Sequence, residues 1–347
     1  LGTQIDWTQS VPLEAETFVQ TTEYDALNRP TSLATPDQSI VRPEYNEAGL
    51  LERVVANVRG AASETVFVDD IDYDAKGQRE RISYGDATNG LGVVTEYDYD
   101  PLTYRVKHIK TTRTSDSAIL QDLRYFYDAV GNIVEMADLA QNTVYHAGDV
   151  MEPVWKYAYD AIYRLTNATG REHAGQNADI QQDAYGFPLV NAPNPNDPQA
   201  MRNYTETYDY DAVGNFIEMI HAATGGTGGW SRRYDTSTTS NRLLGTSVPT
   251  DAPNQFAHSY PHDAHGNMQS MPHLSQIEWN FKEEMRHVQI ATDQNVYFTY
   301  DASGQRVRKV WVHSGITEER IYLGGFEIYR RHQSNSVVLE RETLHIM

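Results

Sequence analysis

The chain has 347 residues, 28 Lys+Arg against 48 Asp+Glu, a formal charge of −20 and no cysteine. Such an acidic surface repels phosphates and disfavours nucleic-acid partners and anionic membranes. The missing thiols exclude disulfides and Cys-based zinc sites, and no stretch approaches the roughly 20 apolar residues of a membrane span. Aromatic residues at 11%, with 23 tyrosines, exclude a disordered chain, which has no core to hold them.

The chain begins at Leu1 without a basic-then-apolar leader and ends, at Arg341–Met347, in a strand-like run, so it is expected to be an internal piece of a longer protein. Between these ends one unit recurs: an aromatic residue, Asp, two variable residues, Gly or a polar residue, then polar/apolar alternation. In chain order the clear copies begin at Tyr24-Asp25, Tyr73-Asp74 (with Gly77), Tyr127-Asp128 (Gly131), Tyr210-Asp211 (Gly214) and Tyr300-Asp301 (Gly304). Looser copies begin at Tyr45, Tyr99, Tyr159 and Tyr234; one with His262 in place of Tyr carries Asp263 and Gly266, and a degenerate one lies at Trp279-Asn280-Phe281. The long interval from Tyr159 to Tyr210 contains Pro188, Pro193, Pro195 and Pro198, which reads as an inserted loop at 186–203.

The unit has a physical reading. Asp caps a tight turn because its carboxylate accepts from a backbone N–H two residues on. Gly three residues later takes positive φ without steric cost, and Asn28 is the next most tolerant residue at that place in the first copy. The flanks, such as Thr205–Tyr210 and Phe216–Ile220, alternate with strand periodicity. Each unit is therefore one β-hairpin, and because a lone hairpin is marginal in water, successive hairpins must pair edge to edge. The expected fold is all-β, a long sheet of tandem hairpins that curls to protect its edges. Helical signal is confined to at most one turn at Glu283–Arg286.

Other patterns point to sites only weakly. Asp70, Asp72 and Asp74 begin like a calcium loop, but Ala75 and Arg81 stand where that loop needs Gly and Glu. His258, His262, His265 and His273 are close in sequence without a metal-binding motif around them. Gly225–Gly229 has no Lys or helix after it to make a phosphate cradle. Asn167 and Asn203 fit a glycosylation pattern, which is too short to carry a functional reading. The Asp–Tyr pairs recur at every repeat, whereas an active site occurs once, so a structural role explains them better than carboxylate catalysis. No catalytic, cofactor-binding or metal residue, and no cofactor, is expected.

The repeat resembles the YD-repeats of the Rhs family, in particular the B and C components of bacterial insecticidal toxin complexes and their Salmonella-virulence-plasmid-B-like relatives. The resemblance is carried by Tyr24–Leu33 (YDALNRPTSL), Asp72–Ile82 (DYDAKGQRERI), Leu120–Asp128 (LQDLRYFYD) and Ala168–His173 (ATGREH), and then by Asp263–Pro272 (DAHGNMQSMP), Tyr300–Lys309 (YDASGQRVRK), Glu319–Arg331 (ERIYLGGFEIYRR) and Leu339–Met347 (LERETLHIM). It covers nearly the whole of 1–347. It implies a segment of a hollow Rhs-type shell, a β-cocoon, which encloses a toxic C-terminal polypeptide before delivery. The implied partners are the remaining shell segments, a partner toxin-complex component and the enclosed toxin, and the implied location is outside the cell. The Rhs core that carries protease residues in the family, and the toxin after it, would lie beyond Met347. The alternative is an extracellular carbohydrate-binding or adhesion surface, in which the tyrosines would face solvent to stack on sugars.

Overall fold

A computed structural model describes residues 14–146, 148–175, 197–225, 228–334 and 336–346. Among these residues the regular structure is all strand, apart from one 3-10 turn at Val58–Gly60. The chain divides into two compact units, the first comprising Leu1–Thr95, Arg113–Ser117 and Glu278–Met347, the second Glu96–Thr112 and Ala118–Ile277. Both are built from antiparallel neighbours in sequence.

In the first unit the strands Thr21–Tyr24, Pro30–Ala34, Ile40–Tyr45, Leu51–Asn57, Thr65–Tyr73 and Arg79–Asp86 pair each with the next. A second run in the same unit pairs Met285–Ala291, Gln294–Tyr300, Arg306–His313, Ile316–Leu323, Phe326–Gln333 and Ser336–Leu344 in the same way. The second unit runs from Ile119–Tyr127 through Ile133–Asp138, Val154–Tyr159, Leu165–His173, Met201–Tyr210 and Phe216–Ala223 to Trp230–Thr236. A two-stranded ribbon, Val144–His146 with Asp149–Met151, packs against the strand Met201–Tyr210 and buries Val144 and Met151.

These segments are strands because side chains two apart share a face, so alternation sets one face against the core. In Met201–Tyr210 exposure alternates along the C-terminal half of the strand. The buried apolar set among the described residues is small and mostly aliphatic: Val54, Val55, Ala56, Val68, Ile71 and Ile82 in one run, Val288, Val296, Val310, Phe326 and Ile328 in the other, and Ala137, Val144, Met151, Ala168, Tyr260, Leu274 and Ile277 in the second unit. A sheet with so thin a core relies more than usual on cross-strand pairs, each contributing about 0.2–1 kcal/mol, and on its turns.

Two expectations need correction or placement. Glu283–Arg286 forms no helical turn: Glu283 and Glu284 close a hairpin turn and Met285–Ala291 is a strand, because the apolar pattern there has period two. Of the inserted loop, 186–196 lies outside the described residues; Met201–Asn203 already belong to a strand.

Candidate functional site

The feature that repeats is the turn after each aromatic–Asp pair. In every clear copy the Asp N–H donates to the carbonyl four residues on, and the N–H of the residue three on donates back to the Asp carbonyl, as in Asp25 with Arg29 and Asn28, or Asp211 with Asn215 and Gly214. One carboxylate oxygen then gathers the amides inside the loop. Asp25 Oδ1 accepts from Leu27 and Arg29 (2.9 and 2.9 Å) and Asp74 Oδ1 from Lys76 and Gln78 (2.8 and 2.8 Å). Asp128 Oδ1 accepts from Val130, Gly131 and Asn132 (3.0, 2.7 and 2.9 Å), and Asp211 Oδ1 from Val213, Gly214 and Asn215 (3.0, 2.8 and 2.8 Å). Asp263 serves His265, Gly266 and Asn267, and Asp301 serves Ser303 and Gln305, in the same way.

The residue three after Asp is left-handed throughout: φ is 61° at Asn28, 82° at Gly77, 111° at Gly131, 101° at Gly214 and Gly266, and 85° at Gly304. Gly131 has a second reason to lack a side chain, because a Cβ there would sit 2.3 Å from the Arg105 guanidinium. The repeat tyrosine sits where the strand register shifts, at Tyr24, Tyr73, Tyr210 and Tyr300 among others, so the turn carries a bulge that adds local twist.

The tyrosine hydroxyls join one hairpin to the preceding one. Tyr73 donates to the Leu51 carbonyl (2.6 Å), Tyr127 to Val106 (2.6 Å), Tyr159 to Ile133 (2.8 Å), Tyr210 to Leu165 (2.8 Å) and Tyr300 to Met285 (2.9 Å). In each case the acceptor is the first strand residue after the preceding turn. Tyr24 has no earlier described hairpin to reach and stays exposed.

Reading the sequence missed the residue four after Asp. It clamps the second carboxylate oxygen: Arg29 Nε on Asp25 Oδ2 at 2.7 Å, Asn132 Nδ2 on Asp128 Oδ2 at 2.8 Å, Arg164 Nε on Asp160 Oδ2 at 2.7 Å and Asn215 Nδ2 on Asp211 Oδ2 at 2.8 Å. Where this residue is Arg, it also reaches the next hairpin. Arg29 lies over the Tyr45 ring at 4.6 Å, Arg164 lies over Tyr210 at 4.7 Å, and Arg164 Nη1 donates to the Asp211 carbonyl at 2.9 Å. The recurring Asn or Arg at that spacing was the available signal. The turn Thr35–Ser39, with Gln38 left-handed, was missed as well because Thr stands in the place of Asp.

These turns make the protein acid-sensitive in a defined direction. The Arg29 amide beside Asp25, the Asn215 side-chain amide beside Asp211, the Asn267 amide beside Asp263 and the Ser303 hydroxyl beside Asp301 hold those carboxyls below the ordinary 3.8. A depressed folded-state value means the unfolded chain takes up protons first, so the stabilisation is complete above about pH 4 and is lost as pH falls through the folded values. Asp211→Asn and Asp263→Asn are expected to be less stable than the parent at pH 6, with the gap closing towards pH 3. Urea midpoints at the two pH values measure this; a gap independent of pH would refute it.

A second polar centre lies in the second unit, on three neighbouring strands. Glu172 Oε1 accepts from Arg202 Nε at 2.6 Å and meets His221 Nε2 at 3.2 Å, while His221 Nδ1 meets Glu206 Oε1 at 3.1 Å. Glu172, Arg202 and His221 are all buried. The His221 ring is stacked between Tyr204 and Trp230, with centroids 5.2 and 5.3 Å away. Tyr208 donates to Glu206 Oε2 at 2.5 Å, and burial pushes the Tyr204 hydroxyl up to about 12. The acids are occupied by cations and hydroxyls of the same cluster, so the arrangement ties strands together.

The weaker patterns join no site. Asp70 and Asp72 lie near Arg81 (3.6 and 3.7 Å), and Asp74 caps its turn. His262 forms a lone bridge with Met268, His265 sits in the Asp263 turn, and among the described residues no group of three or more His, Asp or Glu is placed to hold a metal. Asn167 and Asn203 donate to the Glu206 and Val150 carbonyls. Of the glycine run 225–229, residues 226 and 227 lie outside the described residues.

No family model matches the chain. It is 31% identical over 331 residues to the toxin subunit YenC2 of Yersinia entomophaga, covering 91% of this chain and 32% of that one, and 30% identical over 312 residues to the toxin subunit YenC1 of the same organism, covering 86% and 30%. It therefore spans about a third of the length of those subunits. Among solved structures it superposes on the TcdB2-TccC3 crystal structure with a TM-score of 0.84 at 29% identity, covering 99% of this chain and 17% of that one. It superposes on the Photorhabdus luminescens Tc holotoxin pore with a TM-score of 0.78 at 29% identity, covering 94% and 15%.

Proposed function

Because this chain is an Rhs/YD-repeat protein related to the subunits of bacterial insecticidal toxin complexes, we propose that it is a wall segment of a shell that encloses a toxic polypeptide until delivery outside the producing cell. The observation that carries the reading is the ladder of turns. Aspartate closes the turn in every clear copy, tyrosine fastens five of the hairpins to the one before, and the pattern runs through both compact units. A wall needs this kind of regular, self-propagating pairing, and a catalytic centre does not. The repeat residues Tyr24, Asp25, Tyr73, Asp74, Gly77, Tyr127, Asp128, Gly131, Tyr210, Asp211, Gly214, Asp263, Gly266, Tyr300, Asp301 and Gly304 are on this reading structural, the chain is one repeat region with an insertion at 186–203, and its partners are further shell segments, another toxin-complex component and the enclosed polypeptide.

The role is physical: a continuous hydrogen-bonded sheet denies proteases and host-cell targets access to whatever lies behind it. Limited proteolysis of the complete parent protein tests this. The enclosed region is expected to survive for as long as the repeats do, and its immediate digestion with the repeats intact would rule out a sealed container. The tyrosines are poorly suited to an adhesive surface, since the hydroxyls of Tyr73, Tyr127, Tyr159, Tyr210 and Tyr300 are bonded to neighbouring hairpins.

A further inference from the structure

The C-terminal run of strands in the first unit has two faces of opposite history. On one, Arg308 and Arg330 meet the segment Glu14–Phe18, and Val310, Glu319 and Ile328 share that face. Glu14 accepts from Arg308 Nη1 at 2.6 Å, Glu16 accepts from Arg330 at 2.5 and 2.7 Å, and Phe18 lies 5.9 Å from the same guanidinium. Glu14, Glu16 and Phe18 are alternate residues, which is how an extended chain presents one side.

The other face carries cations and aromatic rings as well. Directly paired residues share a face, and the register places Phe298, Lys309, Arg320, Tyr329 and Arg341 in one row across five strands. Arg320 and Arg341 lie 5.8 and 5.7 Å from the Tyr329 ring, and Arg306 lies 4.9 Å from Tyr322 and 5.7 Å from Phe298. The carboxylates on this face are engaged: Glu318 by Arg331 at 3.0 Å, and Glu327 by Arg320 at 2.8 Å. Lys309 stands directly opposite Arg320; Arg320 is held by Glu327, whereas Lys309 makes no ion pair among the described residues. Beside them the indole N–H of Trp311 is buried without a hydrogen-bond partner, and buried donors are rarely left unpaired. Lys309, Trp311, Glu318, Glu319, Arg320 and Tyr329 line a cavity of about 80 Å³. Burial, and then the nearby Arg306 and Arg320, push the Lys309 ammonium below its ordinary range against the opposing pull of Glu318.

We propose that this face binds an extended acidic polypeptide segment, one carboxylate of which enters the cavity to bridge Lys309 and Arg320 and to accept from Trp311 Nε1, while its alternate apolar side chains lie along Phe298 and Tyr329. The occupant is an acidic peptide rather than another anion because the aromatic residues interleave the cations at strand spacing, and because Glu14, Glu16 and Phe18 occupy the opposite face in that manner. In a chain of charge −20 a cationic face of this kind is itself a departure from the rest of the surface.

A labelled peptide alternating glutamate with valine and phenylalanine, titrated by fluorescence anisotropy against the complete chain, tests this. Saturable binding is expected, with the glutamine counterpart of the peptide and the Lys309→Gln variant each weakened about tenfold or more, the scale of losing a charge-assisted hydrogen bond. Trp311→Phe keeps the ring and removes only the donor; it is expected to weaken binding severalfold without changing the circular dichroism spectrum. Lys107→Gln, on an exposed lysine elsewhere, should leave the affinity unchanged. The proposal is overturned if the peptide does not bind, if Lys309→Gln and Trp311→Phe bind as the parent does, or if inorganic phosphate or a single-stranded oligonucleotide displaces the peptide at equal charge concentration.

Discussion

Glu172→Ala is expected to destabilise the second unit by about 3–5 kcal/mol, the range for removing one partner of a buried ion pair. Glu172 holds Arg202 Nε at 2.6 Å and faces His221 Nε2 at 3.2 Å, and its side chain is only 7% exposed. Alanine would take away that acceptor and leave two buried cationic or polar groups to find water that cannot reach them. The pair itself need not be strongly stabilising, because burying both charges is costly. Hence Glu172→Leu combined with Arg202→Met is expected to cost less than the sum of the single changes, since the charges and their desolvation leave together. Urea unfolding of the four proteins of this cycle measures the coupling. Additive losses would show that Glu172 acts by packing alone.

Phe326→Ala is expected to lose about 3–5 kcal/mol from the C-terminal run of the first unit. Phe326 is fully buried and is the largest side chain so placed. It opens the strand Phe326–Gln333 and pairs with both Leu323 and Leu344, so it sits where three strands meet behind the Gly324-Gly325 turn. A thin sheet has little means to collapse into the space left, which puts the loss towards the upper part of the range. Against a total stability of about 5–15 kcal/mol for a typical domain, such a loss should unfold this run at temperatures where the parent is intact. Hydrogen exchange should show it first in Ile316–Leu323 and Phe326–Gln333; protection there equal to the parent would refute the assignment of Phe326 as the anchor.

The turns were legible in the sequence because everything that makes them lies within five residues. Asp128 caps amides two, three and four positions on, and Gly131 supplies the left-handed residue. The limits of that legibility are equally local in origin. Tyr163, Gln38 and Glu283 are left-handed without being Gly or Asn, because hydrogen bonds on either side hold the backbone against the modest cost of about 1–2 kcal/mol. The partner of each tyrosine hydroxyl was harder to find: Tyr210 reaches back 45 residues to Leu165, across the long interval between repeats.

The buried centre around Glu172 could not be read at all. Its members lie 30 and 49 residues apart in the Arg202 and His221 contacts, and in sequence they are unremarkable polar residues on alternating strands. The cationic face around Lys309 was hidden for the same reason. Arg306, Lys309, Arg320 and Arg341 are spread over three strands, and only pairing register puts Lys309 opposite Arg320.

By itself, then, the sequence determined the all-β hairpin repeat, the place and geometry of most turns and the kinship with toxin-complex subunits, since these depend on short-range chemistry repeated many times. The tertiary structure decided which strand follows which in register, what the repeat tyrosines fasten, which polar residues are buried together and which cations and aromatic rings share a face. Those depend on cross-strand register, where a shift of one residue moves every side chain to the other face.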